Sequence, residues 1–154
     1  MEFDKDQMKR LVRLKSDFLE TSESKISQLQ NKRVLFMDDE DMMREIISSM
    51  LMRLGYDFVA SQNGSEAINI YQKAMDSKYP FDAVILDLKV RVGLGGLETI
   101  KALKAMDPWV KAIVSSGLSN DPVMICFKEY GFLGALPKPY KMKDIEDELY
   151  RLIV

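Results

Sequence analysis

Beyond residue 32 the apolar residues fall into two alternating rhythms. Val34-Leu-Phe-Met37 is a short continuous apolar run that ends in Asp38-Asp-Glu-Asp41, and Ala83-Val-Ile-Leu86 runs straight into Asp87. Such runs, closed by polar residues, predict strands buried on both faces, as in a parallel sheet. Asp57-Phe-Val-Ala-Ser61, Val110-Lys-Ala-Ile-Val114 and Phe132-Leu-Gly-Ala-Leu136 supply three more. Helical spacing fills the intervals. Asp41 is expected to cap a helix carrying Met42, Ile46, Met50, Leu51 and Leu54, closed by Gly55. Asn63-Gly-Ser-Glu66 offers an N-cap and an acidic third residue before Ala67, Ile70, Tyr71 and Ala74. A third helix runs from about Leu97 to the Asp107-Pro108 stop. Asp121-Pro122 opens a fourth that Gly131 ends, and a fifth spans about Lys143 to Ile153. Strands alternating with helices predict an α/β fold, a doubly wound parallel sheet with right-handed crossovers.

Residues 1–31 read differently. They are polar, with a thin stripe of Met8, Leu11, Val12, Phe18, Leu19, Ile26 and Leu29 at helical spacing. This predicts an N-terminal amphipathic helix or linker, broken near Thr21-Ser-Glu-Ser24, ahead of a domain over 32–154. The stripe suits packing on its own domain and pairing with a second helix equally well.

Composition narrows the chemistry. The 154 residues suit one domain, and 47% apolar with 30% charged residues is ordinary for a globular protein. A net charge of −2 gives no reason to expect nucleic acid or an anionic membrane as partner. No apolar run approaches the ~20 residues of a membrane span. The charged start is unlike a secretory signal, and the lone Cys126 fits a reducing, cytoplasmic setting. The sequence has no histidine, so acid–base or nucleophilic chemistry must use carboxylates, lysines, hydroxyls or a metal. Gly93, Gly95 and Gly96 lack the dinucleotide-binding spacing. The eleven methionines are expected to fill gaps in core and helix faces, and Trp109 and Cys126 to be partly buried.

Ligands of open α/β sheets gather at the carboxyl ends of the strands, at the switch point of strand order. With order 2-1-3-4-5, strands one and three are neighbours, which brings Asp38, Asp39 and Asp87 together. Strand four adds Ser115 and Ser116, and strand five adds Lys138. Carboxylates that close repel one another unless protonated or bound to a cation, and an all-oxygen set suits Mg²⁺ (with Mn²⁺ as a substitute). One carboxylate can then act as nucleophile while lysine, hydroxyl and metal hold a transferring phosphoryl group. Taken singly, an acidic run such as Asp38–Asp41 is more often a helix start. The shared sheet edge is what favours the functional reading.

Over Arg33 to Val154 these residues resemble the receiver domains of two-component response regulators. The resemblance is carried by Val34-Leu-Phe-Met-Asp-Asp-Glu, Ala83-Val-Ile-Leu-Asp-Leu, Ile113-Val-Ser-Ser-Gly and Leu136-Pro-Lys-Pro-Tyr140. Gly117-Leu-Ser-Asn-Asp-Pro-Val-Met124 and Glu129-Tyr-Gly-Phe132 look most like receivers of hybrid sensor histidine kinases. The resemblance implies a flavodoxin-like sheet, with Asp87 as phosphoacceptor from a partner's phosphohistidine. It implies that Asp38, Asp39, Asp87 and the Lys89 backbone carbonyl hold the metal. Ser115 matches the switch hydroxyl and Lys138 the lysine that pairs with the phosphoryl group, and Pro139 is expected to be cis. Implied partners are a sensor histidine kinase or histidine phosphotransfer protein, and a downstream output protein or domain. Homodimerisation through the N-terminal helix or the strand-4/5 face is a further expectation. Two departures stand out. Ala135 replaces the family's aromatic three residues before the lysine, and the loop after Asp87 reads Lys89-Val-Arg-Val-Gly93 without a proline turn.

Three readings compete: a phosphoacceptor switch that is not an enzyme, a receiver-like interaction module that is never phosphorylated, and an aspartate-nucleophile phosphohydrolase. Phosphohydrolases of the haloacid dehalogenase type want an acid two residues after the nucleophile, where this chain has Lys89.

Overall fold

The computed structural model describes residues 4–16 and 31–154. Residues 5–16 form a helix, α1. Then β1 (Arg33–Met37), α2 (Asp41–Arg53), β2 (Asp57–Ser61), α3 (Gly64–Met75), β3 (Ala83–Asp87), α4 (Gly96–Met106), β4 (Ala112–Ser116), α5 (Pro122–Ile125), β5 (Gly134–Pro137) and α6 (Met142–Ile153) follow. The five strands are parallel, in the order β2-β1-β3-β4-β5. This is the expected flavodoxin-like, doubly wound sheet.

Two cores line the sheet, and the two-residue period of a strand assigns side chains to them. On one face Leu35, Met37, Val84, Leu86, Ala112 and Val114 pack with Tyr71 of α3, Ile100 and Leu103 of α4 and Met124 of α5. On the other, Val34, Phe36, Ile85, Ile113 and Leu136 pack with Ile47 and Leu51 of α2 and Ile145 and Leu149 of α6. Burial on both faces explains why β1 and β3 read as unbroken apolar runs.

Several boundaries differ from those expected. The N-cap of α2 is Glu40, without a side-chain cap, and Asp41 is its first helical residue. The Asp38 side chain accepts the Glu40 N–H (3.0 Å), so that carboxylate already organises the turn. Asn63 caps α3 as expected, accepting from the Glu66 N–H. The helix predicted from Asp121 to Gly131 is two pieces. α5 ends at Ile125, Cys126 breaks it, and Phe127–Tyr130 is a 3-10 turn. β4 and β5 start two residues later than expected, with the buried Val110 and Phe132 ahead of them in the core. Gly55 and Gly131 close their helices at φ +85 and +96, conformations that cost a residue with a Cβ.

Trp109 is 87% exposed and Cys126 is exposed, contrary to the partial burial expected. Of the methionines, Met37 and Met124 are buried in the core, but Met42 and Met52 are exposed on α2. Met8, Leu11 and Val12 of α1 are exposed too. The rest of the predicted stripe and the break near Thr21 lie outside the described residues. Among those described, no helix is long and apolar enough to cross a membrane.

Candidate functional site

The same two-residue period that builds the second core also builds the site. Asp38, Asp87, Ser115 and Lys138 each stand two residues beyond a buried member of that core: Phe36, Ile85, Ile113 and Leu136. All four therefore continue one face of the sheet past its carboxyl edge, at the α2 and α6 side. Register sets the spacing. Met37 pairs with Leu86, so Asp38 arrives beside Asp87, and Asp87 pairs directly with Ser115.

Lys138 ties the acids together. Its Nζ donates to Asp38 Oδ2 at 2.6 Å and lies 3.5 Å from Asp87 Oδ1. The turn that delivers it, Pro137-Lys-Pro139, has a cis Lys138–Pro139 bond, as the resemblance implied. The Lys138 backbone N–H donates to the Ser116 carbonyl at 2.8 Å, anchoring the turn to β4.

Burial dominates the electrostatics. Desolvation pushes the Asp87 carboxyl up to about 6, against the pull of Lys138 and with added repulsion from Asp38 and Asp39. Burial disfavours the Lys138 ammonium, but its bond to Asp38 and the charge of Asp87 outweigh this and raise its pKa. For Asp39, burial works upward but is outweighed by the backbone N–H and guanidinium of Arg91, so its pKa is lowered.

Ser115 and Ser116 divide their roles by strand parity. Ser115 is 2% exposed and its Oγ has no hydrogen-bond partner among the described residues. An orphaned buried hydroxyl at the strand position paired with Asp87 is costly for the fold and suits an incoming oxygen ligand. Ser116 Oγ instead accepts the Leu118 N–H at 3.1 Å and shapes the loop after β4. Their shared place at the end of β4 does not separate the two serines in the sequence.

The oxygen cluster fits a hard divalent cation. Carboxylate oxygens of Asp38, Asp39 and Glu40 lie within 4.8 Å of one another, with no nitrogen or sulfur donor in the set. A cleft beside them is lined by Asp39, Glu40, Lys89, Val90 and Arg91, which puts Lys89 in the same cleft as the acids. The Lys89 side chain points away into solvent, with Nζ 3.8 Å from Asp121 Oδ2. An acid at that position is what a dehalogenase-type phosphohydrolase needs, and none is there.

Two participants escaped the sequence reading. Arg91 lies in a loop without periodicity, yet its backbone N–H and Nε both donate to Asp39 Oδ2, at 2.9 and 3.1 Å. Arg44 donates to the Asp38 carbonyl at 2.8 Å. The i to i+6 distance across a strand end and a helix start gives no periodic signal that would have flagged it. Ala135, in place of an aromatic, packs against the opposite core, on the other face of the sheet from Leu136.

Residues 34–150 match the response regulator receiver domain. Sporulation initiation phosphotransferase F of Bacillus subtilis (strain 168) is 26% identical over 125 residues, 81% of this chain and 96% of its own length. The receiver domain of a sensor histidine kinase from Pseudomonas aeruginosa PAO1, with a magnesium ion coordinated in its active site cleft, superposes with a TM-score of 0.68. It is 23% identical, and the alignment covers 79% of this chain and 97% of that one. The Thermotoga maritima response regulator TrrA, in complex with Mg²⁺ and BeF, gives a TM-score of 0.65 at 25% identity, over 79% and 98% of the two chains. The match over residues 34–150, on a parallel sheet of order β2-β1-β3-β4-β5, makes this chain a member of the response regulator receiver domain family of two-component signalling.

Proposed function

We propose that Asp87 is the phosphoacceptor and that this chain is a phosphorylation-driven switch. The observation that carries the reading is the buried, unpartnered Ser115 Oγ beside a carboxylate that Lys138 holds in place. An Asp87 oxygen attacks the phosphorus of a partner's phosphohistidine. The new P–O bond forms as the P–N bond breaks, and the imidazole leaves with its electron pair. Lys138 meets one phosphoryl oxygen as an ion pair and Ser115 Oγ donates to another. Asp38, Asp39, Asp87 and the Lys89 carbonyl would hold Mg²⁺. When bound, the ion offsets the repulsion between carboxylate and phosphoryl oxygens. Drawing Ser115 and Lys138 toward the new group biases the loops after β4 and β5, which would present an altered surface to an output protein or domain.

The donor would be a sensor histidine kinase or a histidine phosphotransfer protein, since the chain carries no histidine of its own. A mass spectrum after acetyl phosphate and Mg²⁺ should show one added phosphoryl group, absent from Asp87→Asn. An unmodified wild-type chain, binding no beryllofluoride either, would leave only the interaction-module reading.

The exposed Met8, Leu11 and Val12 further support association of two copies through α1. Light scattering on the intact chain should show a dimer that Leu11→Glu dissociates; a monomeric wild type overturns this.

A further inference from the structure

We propose that the Arg91 guanidinium competes with the divalent cation for Asp39, so that Arg91 sets the Mg²⁺ concentration at which the site loads. The inference rests on the metal-binding reading above and deepens it.

Three carboxylates, Asp38, Asp39 and Asp87, converge on the sheet edge and, among the described residues, are met in ion pairs by two protein cations. Lys138, largely buried, is committed to Asp38 and Asp87. Arg91 is committed to Asp39, and its setting is the reverse. The Asp39 side chain is 17% exposed, whereas the Arg91 side chain that reaches it from the β3–α4 loop is 79% exposed. The carboxylate is fixed at the bottom of the cleft and its counter-charge can withdraw into water at little cost. Of the two cations, Arg91 is therefore the one a metal can displace.

The loop is held where Arg91 finds Asp39 without searching. The Gly96 N–H donates to the Leu88 carbonyl at 3.1 Å and the Gly64 N–H to the Leu94 carbonyl at 2.8 Å. Lys89, whose side chain lies at the solvent-exposed surface, pairs with Asp121 at 3.8 Å. The Arg91 backbone N–H also donates to Asp39 Oδ2, a bond that alanine or lysine at 91 retains. Substituting Arg91 therefore removes the charge and leaves the loop tethered.

A guanidinium about 5 Å from a divalent ion at Asp39, at a surface dielectric and physiological salt, weakens binding by roughly three- to thirtyfold. The test is calorimetric titration of the full chain with MgCl₂, for wild type, Arg91→Ala, Arg91→Lys and Asp39→Asn. The expected result is a Kd for Arg91→Ala lower by that factor, with Arg91→Lys near wild type. An unchanged or weaker Kd in Arg91→Ala, while Asp39→Asn abolishes binding, overturns the competition and makes Arg91 a residue that orients Asp39. If wild type and Arg91→Ala both bind no Mg²⁺, the metal-binding reading fails first and this inference falls with it.

Discussion

Ser115 and Asp87 are side chains whose burial works against the fold. The Asp87 carboxyl is raised to about 6 by desolvation first, so it ionises less readily here than in the unfolded chain. A folded pKa above the unfolded one means stability that is fully present at low pH and is lost as pH climbs from about 4 through 6. At neutral pH the ionised group therefore costs roughly 1–3 kcal/mol. Asp87→Asn should stabilise the Mg²⁺-free chain by that amount in urea unfolding at pH 7, while abolishing phosphorylation. Ser115→Ala should separate structure from function in the same way. Its hydroxyl makes no well-formed hydrogen bond among the described residues, so stability should stay within about 0.5 kcal/mol or rise. Beryllofluoride affinity should fall roughly tenfold, the worth of one charge-assisted hydrogen bond.

Helices and loops hold those side chains in place through close contacts between elements. A Cβ on Gly96 would lie 2.7 Å from the Asp87 carbonyl oxygen and 3.1 Å from Leu88 Cα, both backbone atoms. Gly96→Ala must push the start of α4 off the end of β3, and should cost roughly 1–3 kcal/mol in urea unfolding while weakening beryllofluoride binding. Gly95 and Gly96 thus serve close backbone packing against the end of β3. Farther from the site, Tyr71 of α3 donates to Asp107 at the end of α4 at 2.6 Å. Burial and that carboxylate raise the Tyr71 phenol well above its usual value. The folded chain holds this proton longer than the unfolded one, so the stability it contributes is intact below about pH 10 and lost as pH rises further. The alkaline fall in wild-type stability should therefore be steeper than that of Tyr71→Phe, by up to about 1.4 kcal/mol per pH unit. Parallel slopes would show that the bond does not tie α3 to α4.

For the whole domain, ligand binding and folding are linked. A cation that binds only the folded site stabilises it by about 2.7 kcal/mol at a hundredfold excess over its Kd. Thermal unfolding should move upward with Mg²⁺ concentration in wild type and stay flat in Asp39→Asn. The same titration should shrink the advantage of Asp87→Asn, because the ion relieves the repulsion that the substitution removes. Convergence of the two curves with Mg²⁺ is the expected outcome; curves that stay parallel would place the metal away from Asp87.

The alternation of apolar runs with helical spacing was enough, read along the chain, to specify a parallel sheet with Asp38, Asp87, Ser115 and Lys138 at its carboxyl edge. That is because strand parity is local: a residue two positions past a buried one faces the same way, whatever the rest of the chain does. Helix ends were less legible. Asp121 and Gly131 promised one continuous helix, but packing around Met124 and Phe127 splits it at Cys126, since tertiary contacts override cap signals over so short a span. The pairing of Arg91 with Asp39 lay beyond any local rule. It joins residues 52 apart in sequence through a loop without periodicity, and only the folded arrangement of β1 and β3 brings them within bonding distance.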